Sequence, residues 1–490
     1  MPERRIIAGL LVAWASLRLA LAVVLPLGDT TEARYAWIAR EMARSGDWIT
    51  PWFAPGVPFW GKPPLAFWAQ ALSVRAFGEH EWALRLPALL ATAALAGLVW
   101  DAARRRFDPD TAWRALLVFT GGLLVFTVSA TVSTDPFLAL GVGLVWWAAM
   151  TAERGPPTGV GFAAAALGIA VGLLAKGPLV LLWVAPPLLL DAWRRPSRAL
   201  RWGGAVLLGL SCALPWYWAA ETKTPGFLRY FIVGEHFERY LVPGWAGDRY
   251  GGGHARAPGT VLLYTALALL PWTPWLLRRP RPQDDGERRL LPWMLWPLLL
   301  LLPARNLLAT YVLPAMPAWS LWLAPRLDSA SRRRWIAAAL VTVLACTMVG
   351  AAVWPGTPWL DRQRSAWAVV AAWRRYGSPG GVLYTAGPPP YSLRYYADGA
   401  WRTLPASAAP PTGACRLAGV DDAPPAPGLH RRAAFARYAL WCDSGKAHAG
   451  QGAAPRPAEQ AEPPAVLGAH QADEVQAQPG PGAARVPHAG

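Results

Sequence analysis

Of the 490 residues, 54% are hydrophobic and only 16% charged, and the mean hydropathy is +0.23. That composition excludes a soluble chain of this length and places the protein in a membrane. Lys and Arg (47) outnumber Asp and Glu (30), for a formal net charge of +17. The basic residues fall in short clusters between apolar runs, with no continuous basic face, so membrane lipid and not nucleic acid is the expected partner.

About eleven apolar runs are long enough to span a bilayer, at 6–27, 82–103, 112–130, 136–152, 159–175, 177–193, 203–220, 258–277, 289–303, 308–324 and 335–354. The first follows Arg4 and Arg5 without a clear small-residue cleavage site and reads as an uncleaved span. Alternate connections carry Arg104 to Arg106, Arg154, Arg194, Arg195, Arg198, Arg278, Arg288, Arg326 and Arg332 to Arg334, whereas the opposite turns carry little beyond Lys176 and Arg305. The positive-inside rule puts the N-terminus in the cytoplasm and the C-terminus in the periplasm of a bacterial inner-membrane protein. The 30 tryptophans suit many membrane–water boundaries.

Two long loops, 28–81 and 221–257, then lie outside. In the first, Thr30 or Thr31 opens a helix with Tyr35, Ile38, Ala39 and Met42 on one face and Gly46 as its stop. A second helix starts at Pro63-Pro64, shows Leu65, Trp68 and Leu72, and ends at Gly78. Both are expected to lie in the membrane interface. Residues 1–354 thus form a transmembrane domain and 355–447 a small extracytoplasmic α/β domain, with a helix near 361–376 and strands near 381–385 and 437–442. The tail 448–490 is expected to be disordered. Four cysteines allow at most one disulfide, Cys415 to Cys442, and only outside the cytoplasm.

Asp29, Glu32, Lys62, Asp135, Lys176, Glu235, His236, His254 and Arg305 fall at the outer membrane surface from several connections, where they can surround one cavity. Bland readings stand beside the functional one. Asp135-Pro136 is a good helix start and Lys176-Gly177-Pro178 a good helix stop, while Arg34, Arg40, Arg44 and Arg85 can snorkel to lipid phosphate. The histidines lack metal spacing, so neither a metal nor another cofactor is expected. Functionally, Lys62, Lys176 and Arg305 would neutralise a lipid-linked phosphate as it departs, and Asp29, Glu32 or Asp135 would orient or deprotonate an acceptor. A multispan lipid or sugar transporter is the alternative, but it would place ionisable groups near the bilayer midplane, and these spans are almost uncharged inside.

The run DTTEARYAWIAREMARSGDWITPWFAPGVPFWGKPPLAFWAQALSVRAFG, with STDPFLAL, AKGPLVLL, FLRYFIVGEHFERYL, ATYVLPAMPAWSLWLA and YSLRYYADG, resembles glycosyltransferase family 39, the aminoarabinose transferase and protein O-mannosyltransferase group of the GT-C fold. The resemblance implies an inverting transferase that moves a sugar from a polyprenyl (undecaprenyl) phosphate donor to lipid A or another periplasmic glycan or protein acceptor. It implies site roles for Lys62, Asp135, Lys176, Glu235, His236, Arg239, Arg305 and Tyr311, and it places Arg34 and Tyr35 after the family's acidic pair. Three positions depart. The acidic pair aligns with Thr31 and Glu32, which leaves Asp29 as the nearest aspartate; Gly61 replaces a Glu common in aminoarabinose enzymes, and Leu307 replaces a lysine. A reporter fused after residue 360 should read extracytoplasmic; a cytoplasmic signal would overturn the orientation.

Overall fold

The computed structural model describes residues 2–152, 159–242, 245, 247, 249–250, 255–278, 281–352, 365–405, 408–420, 422, 425–435 and 438–443. Helix α1 (Pro2–Val24) leads into the first loop, which holds α2 (Thr31–Ser45), a hairpin of β1 (Trp52–Ala54) and β2 (Val57–Pro58), and α3 (Leu65–Phe77). The bundle continues with α4 (Glu81–Arg106), α5 (Pro109–Thr120), α6 (Leu123–Val128), α7 (Asp135–Thr151), α8 (Gly159–Lys176), α9 (Leu179–Arg194) and α10 (Ala199–Lys223). A π-helix, Arg229–Glu238, runs into α11 (Arg239–Leu241), and α12 (Thr260–Ala268), α13 (Asp285–Leu301), α14 (Met316–Leu323) and α15 (Arg332–Ala352) complete the bundle.

Among the described residues, five of the apolar runs are helices long and apolar enough to cross a membrane: Glu3–Val24, Glu81–Arg106, Gly159–Lys176, Pro196–Lys223 and Arg332–Ala351. α7 and α13, of 17 residues each, and α9, of 16, are shorter. Other runs that read as continuous are broken. Residues 112–130 turn at Gly121-Gly122 between α5 and α6, and 258–277 turn at Pro271 between α12 and a 3₁₀ turn, Thr273–Leu277. The two breaks meet, since Leu123 N donates to Leu270 O at 2.9 Å. Irregular backbone at membrane depth persists where protein supplies its partners, which is why a hydropathy window cannot see these breaks. Likewise 308–324 is a 3₁₀ segment, Ala309–Ala315, followed by α14.

α7 packs along α8, and α8 along α10. The first contact is close because it is built on glycine: a Cβ on Gly141 would sit 2.6 Å from Gly168 O. Small residues let helices approach where lipid supplies no hydrophobic drive. Several arginines of the positive side are inside the protein. Arg326 is buried against Glu287 at 3.0 Å, and buried Arg198 pairs with Asp191 at 3.1 Å and bonds Ala152 O at 2.7 Å.

The apolar face of α2 is buried within the protein, against α3 and the C-terminal domain, and not against lipid. α3 buries Phe67, Ala71 and Val74 and leaves Leu72 more than half exposed, which keeps the outward face expected from its pattern. The C-terminal domain has α16 (Trp367–Tyr376), β3 (Leu383–Thr385), α17 (Tyr391–Tyr396), β4 (Trp401–Thr403), β5 (Cys415–Gly419), β6 (Leu429–Ala434) and β7 (Tyr438–Asp443), and its sheet order is β4-β3-β5-β7-β6. β3 is parallel to β4 and β5, and the other pairs are antiparallel. Cys415 faces Cys442 across β5 and β7, and the two form the disulfide that the sequence allowed. The tail 448–490 lies outside the described residues. Closing a loop of 27 residues should make the bond worth about 3.5 kcal/mol, so reduction should lower the unfolding midpoint of the C-terminal domain; an unchanged midpoint in thiol reductant would contradict this.

Candidate active site

Residues from four connections form a linked set at the loop-bearing end of the bundle. Lys62, three residues before α3, reaches Glu235 on the π-helix at 3.0 Å, and Arg239 one turn later shares the same carboxylate at 3.1 Å. Tyr230 OH donates to Glu235 at 3.3 Å. Burial pushes the Glu235 carboxyl up, but Lys62 and Arg239 outweigh it and hold the group below the usual carboxylate range. Lys62 and Arg239 remain about one-fifth exposed, whereas Glu235 is nearly covered, so the carboxylate acts as a fixed base plate for two accessible cations. The wide π turn places His236 with Nδ1 2.7 Å from Phe231 O and Nε2 3.2 Å from Lys176 O. Burial pushes the His236 imidazole below its usual value, although the two carbonyls pull the other way.

His236 joins this group to a second one. Lys176, the last residue of α8, donates to Asp135 at 2.5 Å, and its Nζ lies 4.7 Å from the centre of the Tyr311 ring. Asp135 also accepts from Ser133 Oγ at 2.8 Å. The helix-cap reading of Asp135 therefore fails: Thr134 holds the cap position, and the Asp135 carboxylate is turned to Lys176. The helix-stop reading of Lys176 holds alongside its ion pair, because Gly177 has φ +73 and its N–H returns to Leu173 O at 2.8 Å. Gly177 must also be small, since a Cβ there would lie 2.5 Å from the Phe231 ring.

The other candidate acids are engaged elsewhere. Both Asp29 oxygens face Ser392 of α17: one accepts its N–H at 2.8 Å and the other its hydroxyl. Burial pushes the Asp29 carboxyl up against the pull of those bonds. Glu32 forms a two-point pair with Arg85 at 2.9 and 3.0 Å and accepts Gly28 N at 3.0 Å and Val132 N at 3.3 Å. Burial raises its carboxyl, but Arg85 and these bonds prevail and lower it. Asp29 and Glu32 are thus held by Ser392 and Arg85. Three arginines do not snorkel: Arg85 is buried on Glu32, Arg40 is buried against Tyr395 O (3.0 Å) and Asp398 (3.1 Å), and Arg44 joins Glu79 to Asp398.

Arg34 differs from them. It donates to Tyr250 O and lies within 6 Å of the Tyr35, Phe59 and Tyr391 rings, and its Nε is buried without a hydrogen-bond partner among the described residues. Tyr250 connects it to the Lys62 loop, because its hydroxyl donates to Pro58 O at 2.8 Å and accepts Trp60 N at 3.0 Å. Arg249, which the sequence reading missed, lies over Trp60 and Tyr230 at 4.8 and 5.3 Å. Arg305 is exposed, and its carbonyl accepts Arg256 N at 2.7 Å. His254 lies outside the described residues. Lys62 and Arg239 share the Glu235 carboxylate, Arg34 and Arg249 lie on the neighbouring aromatic rings, and Lys176 is paired with Asp135. The excess is cationic and suits an anionic ligand.

Residues 61–218, which include Lys62, Asp135 and Lys176, match the family model described as dolichyl-phosphate-mannose-protein mannosyltransferase. The chain is 32% identical over 316 residues to an undecaprenyl phosphate-alpha-4-amino-4-deoxy-L-arabinose arabinosyl transferase of Edwardsiella ictaluri, covering 61% of this chain and 55% of that one. A Pseudomonas aeruginosa protein of the same name is 32% identical over 300 residues, covering 58% and 53%. The chain thus spans little more than half the length of these relatives. The crystal structure of ArnT from Cupriavidus metallidurans bound to undecaprenyl phosphate superposes with a TM-score of 0.72 at 18% identity, covering 91% of this chain and 98% of that one. The fold is the GT-C fold of that protein, and the resemblance to glycosyltransferase family 39 is borne out.

If Glu32 is a clamp, Glu32→Gln should cost about 3 to 5 kcal/mol by leaving Arg85 buried and unpaired. Asp135→Asn should cost a similar amount through Lys176, and adding Lys176→Met should recover much of it. Thermal unfolding in detergent checks both; two melting curves like that of the unmodified protein would remove the ion-pair account.

Proposed function

We propose that this chain, of the family 39 type, is an inverting glycosyltransferase that moves a sugar from a polyprenyl (undecaprenyl) phosphate donor to lipid A or another cell-envelope acceptor. The observation that carries the reading is the gathering of Lys62, Arg239 and Arg34 at the loop-bearing end of the bundle. As the sugar–phosphate bond breaks, negative charge grows on the phosphate, and fixed cations in a partly dry site stabilise that charge more than they stabilise the bound donor. Glu235 holds Lys62 and Arg239 side by side, each about one-fifth exposed. The buried Nε of Arg34 is a preset donor for a phosphate oxygen.

Asp135, which His236 and Lys176 link to the Glu235 group, is the carboxylate proposed to act on the acceptor, with Lys176 keeping it ionised. Tyr35, His236 and Tyr311 would surround these groups, and Arg305 would approach from the segment before α14. The likeness to arabinosyl transferases supports an aminoarabinose-like donor. The arginine distribution supports a multi-pass inner-membrane protein with a cytoplasmic N-terminus and the site on the periplasmic side.

Sugar transfer from a lipid-linked donor by the purified protein tests this. Lys62→Met, which keeps the apolar stem but loses the charge, should lower turnover by about 10² or more at unchanged protein level. Lys62→Arg should keep partial activity, because guanidinium retains charge but changes reach. Wild-type turnover in Lys62→Met would overturn the proposed phosphate role.

A further inference from the structure

Far from this site, at the arginine-rich end of the bundle, α9 and α13 flank a groove of about 780 Å³. Its position follows from prolines. Pro186 and Pro187 interrupt α9, and Pro292 and Pro297 interrupt α13. A helical proline leaves the carbonyl four residues earlier without its usual donor. For Pro186 that carbonyl is Leu182 O, and the indole N–H of Trp296 on α13 fills it at 2.7 Å. The bond ties the two helices together along one edge of the groove. Leu295 and Leu299 line it and are well exposed, as a lipid-facing wall would be.

The mouth of the groove is basic. Four arginines, Arg194, Arg195, Arg288 and Arg289, line it together with two aspartates, Asp191 and Asp285. Arg289 is engaged with the α7 end through Ala149 O and Ala152 O. Arg195 places its buried Nη1 3.5 Å from Asp191, an ion pair without a hydrogen bond at that nitrogen among the described residues. Arg194 and Arg288 are exposed. An apolar slot between helices that ends in a net positive cluster matches the two halves of an anionic lipid.

We propose that this groove binds an anionic phospholipid of the adjoining leaflet, with its phosphate on Arg194, Arg195 and Arg288 and an acyl chain between α9 and α13. The site lies about 25 Å from Asp135, by the rise of the 17 residues of α7. It is therefore separate from the proposed donor site, whose phosphate would sit at Lys62. The charge excess argues against a neutral lipid, and the apolar walls argue against a free phosphate.

Native mass spectrometry of the full-length protein, titrated with phosphatidylglycerol or phosphatidylcholine of matched chains, tests the proposal. Phosphatidylglycerol should be retained preferentially. Arg194→Gln with Arg288→Gln should weaken its tightest binding about 30-fold, from two lost surface cations, and the matching pair of lysine substitutions should retain most of it. Leu295→Trp should weaken binding with every charge intact, because it fills the slot. Equal retention of the two lipids, or unchanged affinity in the glutamine pair, would overturn the proposal. Displacement of phosphatidylglycerol by undecaprenyl phosphate alone would also overturn it and give the groove to the donor.

Discussion

An ionised side chain taken out of water must find its counterpart inside the protein, and the pair of Arg85 with Glu32 shows how much of this bundle that requirement organises. Arg85 sits in the first turns of α4 and gathers, besides Glu32, the carbonyls of Ala22, Leu25 and Pro26 where α1 ends. Glu32 in turn takes the N–H groups of Gly28 and Val132. One contact therefore fixes the end of α1, the start of α2, the start of α4 and the segment that delivers Asp135. Arg18 reinforces it from within α1, donating to Ser129 Oγ at 3.3 Å and to Ala130 O at 2.5 Å. Such pairs add little to stability over an apolar substitute, but they penalise every arrangement in which the partners are apart.

The two ends of the bundle handle charge differently. At the loop-bearing end, deeply placed Glu235 orients two cations that keep some exposure, whereas Glu32 and Asp135 hold buried ones, Arg85 and Lys176. At the opposite end, some arginines are buried on carbonyls and acids, as Arg198 and Arg326 are, while others remain outside. The same residue type thus serves as internal strut and as surface charge. Only partner geometry separates the roles.

What the sequence revealed was local. The helix faces and glycine stops of α2 and α3 lie within a few residues of each other, so periodicity and Gly46 or Gly78 suffice to read them. The disulfide was legible because only Cys415 and Cys442 lie outside the apolar runs. The breaks at Gly121-Gly122 and Pro271 were not, because each is repaired by the other across more than a hundred residues and both sit inside apolar windows. The same distance hid the partners of Asp29 and Arg40. Their residue types suggest membrane-surface or catalytic roles equally well until Ser392 and Tyr395 are placed beside them. Lys62, Asp135, Lys176, Glu235, His236 and Arg239 were recognised through family motifs, but the sharing of Glu235 by two cations needed the π turn, which no periodicity announces.

The bond between Asp29 and Ser392 spans 363 residues of chain, and Leu27 N reaches Tyr396 OH over a similar interval. A ribosome adding about 5 to 20 residues per second needs on the order of 20 to 70 s to cover that distance. Throughout that time the first loop has left α1 but lacks the domain that completes it. Asp29, Arg40 and the backbone at Leu27 must meanwhile be satisfied by water or lipid headgroups. The loop that carries Lys62 is therefore among the first parts of the chain to be made and among the last to be finished.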